Sequence, residues 1–165
     1  MVTIHPSRAQ EVPAGAFTSG PAPLFEYFVD TTRAVYNLCA NGTLDRYPDV
    51  KFVVPHCGSF IPPVVHRLMG MSKVLVPAGM MQEIDITECM KKLYFDIAGA
   101  CEPVMLPALM KIADPTHLLY GGDYPYSPAP FIGSVAQQVA SDPALNEKTL
   151  TGIFADNARN LYGLA

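Results

Sequence analysis

Charge is scarce in this sequence, and positive charge is the scarcer sign. Of 165 residues 16% are charged, with 11 Lys and Arg against 15 Asp and Glu. The basic residues are thinly spread and form no patch of the kind that binds nucleic acid. No apolar run approaches the ~20 residues that a membrane span needs. The amino terminus has no basic segment followed by an apolar one, so we expect no secretory signal. We therefore expect neither nucleic acid nor a membrane as a partner.

The cysteines lack an organising pattern as well. Cys39, Cys57, Cys89 and Cys101 are scattered, with no CxxC spacing among them. Such isolated thiols are typical of reduced, mostly buried cysteines in a cytoplasmic protein. We assign no catalytic role to them on sequence grounds, and we expect the protein to be cytoplasmic.

Hydrophobic residues make up half of the chain, which predicts a substantial core in one domain. Strand-like apolar runs occur at 2–6, 50–54, 93–99 and 118–121, and residues 7–23 form a long loop. Helices are expected from Asp30 or Thr31 to about residue 41, from Pro62 onward, and at 81–92, 104–113, 130–141 and 147–162. Four strand–helix units indicate parallel strands with right-handed crossovers. An open flavodoxin-like sheet and half of an eight-stranded barrel both fit this count.

Three of the apolar runs end at residues that can hold or serve a metal, namely His5, His56 and Asp123. Parallel α/β proteins place their chemistry at the carboxyl ends of strands. Two imidazoles and one carboxylate therefore indicate a metal-dependent active site, although an incomplete one. Each residue also has an ordinary explanation: a polar residue near the terminus, a histidine bonded to backbone, and an aspartate in a turn.

Longer segments carry a family resemblance. Residues 46–62, RYPDVKFVVPHCGSFIP, followed by Arg67, resemble the segment RYPxLKxxxxHxGGxxPxxxxR of the amidohydrolase-related decarboxylases. Residues 119–126, LYGGDYPY, resemble their LxxGSDxPY segment, and residues 157–162, NARNLY, resemble their closing NAxxLxxL helix. The matches run through nearly the whole chain in the order of the family, and their combination is specific.

The resemblance implies a TIM-like (β/α)8 barrel, of which residues 1–165 form the second half, strands five to eight, as a partial domain. The HxH pair of the family's first strand is absent, so we expect an amino-terminally truncated product or a mis-assigned start. Gly122 stands where serine is usual, and Ser59 stands where a second glycine is usual.

The resemblance also implies residue roles. His5 and Asp123 would be metal ligands, with Zn²⁺ expected ahead of Mn²⁺. His56 would be the catalytic general acid and base. Arg67 would hold the substrate carboxylate, in the family from a neighbouring subunit of a homodimer, although a solvated helix charge is an equal alternative. Asp96 lies inside the predicted third strand, where a buried, bonded strand residue is expected ahead of the alternative, a carboxylate that supports the site from behind its ligands.

The implied function is metal-dependent, non-oxidative decarboxylation of a small hydroxyaromatic or muconate-type carboxylic acid. The alternatives are metal-dependent hydrolysis of a lactone or amide, and a catalytically inactive half barrel. A half barrel would leave its edge strands, at 2–6 and 118–121, without neighbours, which favours self-association.

Overall fold

Four short parallel strands form the centre of the molecule. The computed structural model describes residues 1–7, 20–99 and 101–164, so most of the long loop expected at 7–23 lies outside the described residues. The strands are β1 (Val2–Thr3), β2 (Phe52–Val54), β3 (Tyr94–Asp96) and β4 (Leu118–Leu119), and they lie side by side in chain order. The predicted parallel order of four strand–helix units is confirmed.

The register of the sheet fixes which strand ends are neighbours. Thr3 pairs with Val53, Val54 with Phe95, and Asp96 with Leu119. All strands are shorter than the apolar runs predicted. The third ends at Asp96 rather than at residue 99, so the expectation that Asp96 lies inside this strand is wrong. The ladder continues by one bond, from the Ile97 N–H to the Leu119 carbonyl at 3.0 Å, before the chain turns at Gly99, whose φ is +80°.

Helices follow each strand. Their bounds are α1 (Glu26–Ala40), α2 (Thr43–Arg46), α3 (Ile61–Leu75), α4 (Ile86–Lys92), α5 (Met105–Leu109), α6 (Ala129–Ala140), α7 (Glu147–Thr151), a π-helical turn (Gly152–Asp156) and α8 (Asn157–Tyr162). None of the described helices is long and apolar enough to cross a membrane.

Two helix starts differ from expectation. Helix α1 begins at Glu26, before the predicted caps Asp30 and Thr31, which both lie inside it. Neither of them caps the helix, and the next residue, Thr32, donates its hydroxyl to the Phe28 carbonyl within the helix at 2.6 Å. Helix α4 begins at Ile86 because the Asp85 carboxylate accepts the Glu88 N–H at 3.0 Å and so caps it.

The core lies between the sheet and its helices, and its members are fully buried aliphatic and aromatic side chains. They include Val54, Phe95 and Leu118 from the strands and Ile61, Val65, Leu106, Leu109, Val139 and Ile153 from the helical segments. Burial of one such side chain contributes roughly 1.5–3 kcal/mol. The periodic residues Val65 on α3 and Leu106 and Leu109 on α5 lie in the core, whereas Met69, at the same helical spacing on α3, is exposed.

The β4 edge is partly covered, contrary to expectation. The Tyr120 N–H donates to the Ile153 carbonyl at 2.8 Å. The side-chain amide of buried Asn157 donates to the Pro115 carbonyl at 2.9 Å and to the Leu118 carbonyl at 2.8 Å. The closing helix therefore supplies hydrogen bonds that a neighbouring strand would otherwise provide. The β1 edge fits the prediction better, because both of its residues are exposed.

Candidate active site

The turn that follows β2 places His56 at the carboxyl edge of the sheet. Four consecutive residues, His56, Cys57, Gly58 and Ser59, have positive φ values of 56°, 52°, 76° and 55°. Non-glycine residues rarely adopt such values, and strain of this kind concentrates at functional sites. Gly58 is required here for a second reason, because a Cβ would lie 3.2 Å from the Phe95 ring.

The imidazole of His56 lies between an aromatic ring and a carboxylate. Phe28 stacks on it, with ring centroids 5.4 Å apart and an interplanar angle of 22°. Its Nε2 atom lies 4.0 Å from the Oδ2 atom of Asp123, which is too far for a hydrogen bond but close enough for electrostatic attraction whenever the ring is protonated. Its Nδ1 atom is buried with no hydrogen-bond partner in the described parts of the chain. Nε2 is therefore the ring atom that faces the carboxylate.

Asp123 sits in a turn between β4 and α6. Its φ is +55°, and Ser127 closes the turn by donating its N–H to the Asp123 carbonyl at 2.8 Å and its hydroxyl to Oδ2 at 3.3 Å. Gly122, where the resembling family has serine, faces Ile132, and a Cβ there would lie 3.2 Å from Ile132 Cγ2. The bulk of Ile132 thus accounts physically for this departure.

Asp96 belongs to the same edge, and sequence reasoning underrated it. Its Oδ1 atom accepts the backbone N–H of His56 at 3.1 Å and that of Ala98 at 3.0 Å. Burial raises the pKa of Asp96, while these two hydrogen bonds and the nearby His56 lower it. Gly121 allows the close approach, since a Cβ there would lie 3.1 Å from Asp96 Cβ. The only sequence signal was an acidic residue late in an apolar run.

His5 lies at the same edge beyond β1, and its side chain is exposed. Its Nδ1 atom is bonded to the Pro6 carbonyl at 2.8 Å, which leaves Nε2 free. Its ring centroid lies 6.3 Å from that of Tyr126, in the loop after Asp123. Within residues 1–7, 20–99 and 101–164, no hydrogen bond or ion pair joins His5 to His56 or Asp123, and no three His, Cys, Asp or Glu side chains are arranged to hold a metal.

Arg67 is not brought to this site by the chain itself. It lies on the exposed side of α3 and makes no side-chain hydrogen bond or ion pair with the described residues. His66 is exposed beside it, and His117 stacks on Tyr94 at 4.0 Å, near the opposite ends of the strands. The structure therefore brings together His56, Asp123 and Asp96, with His5 nearby through Tyr126.

Known proteins resemble this chain over nearly its whole length. The family described as Amidohydrolase matches residues 1–164. The 6-methylsalicylic acid decarboxylase of Penicillium expansum is 33% identical over 128 residues, which cover 78% of this chain and 39% of the relative. The 6-methylsalicylic acid decarboxylase of Aspergillus aculeatus is 28% identical over 166 residues, covering 98% of this chain and 50% of the relative. The chain thus spans half or less of the length of these relatives.

The chain also covers only about half of each solved structure that it resembles. A crystal structure of an amidohydrolase II superposes with a TM-score of 0.88 at 32% identity, covering 98% of this chain and 51% of that one. The 5-carboxyvanillate decarboxylase of Novosphingobium aromaticivorans, crystallised with manganese and 4-hydroxy-3-methoxy-5-nitrobenzoic acid, gives 0.80 at 19% identity and covers 98% and 47%. The second likeness shows the fold alone. The four units accordingly form part of a TIM-like barrel rather than an open sheet.

Proposed function

We propose that this chain, which belongs to the amidohydrolase family, forms part of the active site of a metal-dependent decarboxylase. The substrate would be a small hydroxyaromatic or muconate-type carboxylic acid, and the reaction non-oxidative. The observation that carries this proposal is the approach of His56 Nε2 to Asp123 Oδ2, 4.0 Å apart beyond the carboxyl ends of β2 and β4, the two strands that flank β3.

His56 would manage the proton that replaces CO2. When the bond between the substrate carbon and its carboxylate breaks, the carbon keeps the electron pair and must take up one proton. Nε2 of a protonated His56 can supply it, a role that suits an imidazole near neutral pH. The stacked Phe28 limits water access to the ring, and the bond from the His56 N–H to Asp96 holds the residue at its position on the edge.

The donor chemistry at this edge suits a divalent metal. We propose that His5 and Asp123 contribute an imidazole nitrogen and a carboxylate oxygen, which suit Zn²⁺ and Mn²⁺. The bond from His5 Nδ1 to the Pro6 carbonyl leaves Nε2 available as a ligand. Two donors are fewer than such a site needs, so others would come from outside the described residues. The metal, when bound, would polarise the substrate's oxygen atoms as a Lewis acid.

Arg67 would serve a second copy of the protein rather than its own site. Its guanidinium is exposed on α3 and free of ion pairs with the described residues. A planar guanidinium binds a carboxylate through two parallel hydrogen bonds. We therefore propose that Arg67 reaches a carboxylate substrate across the interface of a homodimer.

Complementation tests this function. The chain is co-expressed with the amino-terminal half of the Penicillium expansum relative, and CO2 release is measured with 6-methylsalicylate and dihydroxybenzoates after loading with Mn²⁺ or Zn²⁺. We expect activity in the pair, loss of at least about 10²-fold with His56→Ala, and near-full activity with the exposed control His66→Ala. Full activity of His56→Ala would refute the assigned role, and turnover of lactones or amides instead of carboxylic acids would favour a hydrolase.

A further inference from the structure

Two cysteines face a single cavity far from the candidate active site. Cys39 lies near the end of α1 and Cys89 lies on α4, and both line a cavity of about 270 Å³. Helix α4 leads into β3, so this cavity lies toward the amino-terminal ends of the strands, whereas His56 lies at the carboxyl ends. As whole residues, Cys39 and Cys89 are 5% and 7% exposed, and because both line this cavity a small reagent inside it meets them.

The surroundings of the pair make the two thiols unequal. The pKa of Cys89 is lowered, first by a hydrogen bond from the Cys39 thiol and further by Lys92, although burial opposes the shift. The pKa of Cys39 is raised, first by the same hydrogen bond and then by burial. Lys92 is held beside them by an ion pair with Asp45. Cys89 shares α4 with Lys92 and is slightly more exposed than Cys39, so Cys89 is the better nucleophile, and Cys39 lines the same cavity beside it.

The other two cysteines provide an internal contrast. Cys57 and Cys101 are 0% and 1% exposed. The Cys101 thiol donates to the Ile97 carbonyl at 2.9 Å and to the Ala98 carbonyl at 3.2 Å. Burial is the first cause of the raised pKa of Cys57. Cys57 and Cys101 are therefore neighbours as well, but solvent does not reach them and burial disfavours the thiolate form of Cys57.

We propose that Cys39 and Cys89 form a reactive dithiol that hydrogen peroxide converts to a disulfide. The Cys89 sulfur attacks one peroxide oxygen, the O–O bond breaks, and the second oxygen leaves as water after taking up a proton. The resulting sulfenic acid is attacked by the Cys39 sulfur, the S–O bond breaks, and a second water leaves. In total, two thiols and one peroxide give one disulfide and two waters. Sulfur is oxidised and peroxide is reduced.

The experiment uses the whole chain in its reduced state. After brief treatment with a small excess of peroxide, remaining thiols are alkylated under denaturing conditions and peptides are mapped by mass spectrometry. We expect a linked pair of peptides that contain Cys39 and Cys89, reversible by dithiothreitol, while Cys57 and Cys101 are recovered alkylated. Linkage of the first pair should be at least about tenfold faster than any reaction of the second.

Variants separate the steps. Cys89→Ser should abolish peroxide consumption by the pair, whereas Cys39→Ser should leave a sulfenic acid on Cys89 that dimedone traps. The matched control, a Cys57→Ser and Cys101→Ser double variant, should form the disulfide at the wild-type rate. The proposal is overturned if Cys39 and Cys89 stay reduced, if the buried pair reacts as fast, or if the linkage joins two separate chains on a non-reducing gel.

Discussion

Ser59 is the residue whose replacement most directly tests the strained turn. Its φ of 55° and ψ of −127° lie in a region that favours glycine, and its hydroxyl is buried without a partner in the described chain. Glycine would remove backbone strain of about 1–3 kcal/mol and an unpaired hydroxyl worth about 1–3 kcal/mol. Against this stands the greater freedom of glycine in the unfolded chain, about 0.5–1 kcal/mol. We therefore expect Ser59→Gly to stabilise the protein by about 1–5 kcal/mol.

Urea unfolding measures this gain. The sequence contains no Trp and 8 Tyr, so circular dichroism or tyrosine fluorescence reports the transition. Ser59→Ala is the matched control, because it removes the hydroxyl but keeps the Cβ that the backbone disfavours. It should gain less than Ser59→Gly at an unchanged denaturant slope. A lower midpoint for Ser59→Gly, or an equal gain for both variants, would refute the assignment of strain to this turn.

Three further predictions concern stability. Asp96→Ala leaves the N–H groups of His56 and Ala98 without their acceptor, so urea unfolding should show a loss of about 2–4 kcal/mol, with a smaller loss for Asp96→Asn; equal losses would contradict this. Asn157→Leu removes both bonds to the β4 segment and should speed amide exchange there, which unchanged protection would disprove. Burial, then Asp142, raises the pKa of Glu102 from 4.5 to about 7, so stability should fall as pH rises between these values, because the unfolded chain releases the proton first. Glu102→Gln should flatten this fall in stability, and an equally steep fall in the variant would rule out Glu102 as its cause.

Sequence pattern predicted the order and type of the secondary structure elements well. Each apolar run seeded a strand, and the prolines at 62 and 63 lie in the first turn of α3, as their missing N–H groups require. Strand lengths were overestimated, because apolar residues such as Ala98 remain buried after the chain has left the ladder. Burial and strand geometry give the same pattern over three or four residues, so composition alone does not separate them.

The candidate site was only partly predictable for a related reason. His56 and Asp123 each end an apolar run, which is a local signal, and the structure brings them together. The bond between Asp96 and the His56 N–H joins residues 40 positions apart. It depends on the register of β2 against β3, in which Val54 pairs with Phe95. A one-residue slip of β3 against β2 would turn the Asp96 side chain to the other face of the sheet. No local pattern in the sequence encodes this register.

The positions of His56 and Asp123 depend on backbone geometry more than on side-chain packing. Both have positive φ and lie in the turns that follow β2 and β4. The first turn is held by the bond from the His56 N–H to Asp96 on β3, and the second by Ser127 within the turn itself. The Ser59 side chain makes no hydrogen bond with the described residues, and the bond from the Ser59 N–H to the His56 carbonyl, at 2.9 Å, would persist with glycine at this position. If the strain at Ser59 and the bond to Asp96 act separately in this way, Ser59→Gly in the complemented enzyme should raise stability and leave CO2 release within about twofold. Asp96→Asn should instead lower CO2 release by more than its effect on folding explains. A large loss of turnover in Ser59→Gly would instead mean that the strain itself holds the imidazole in place.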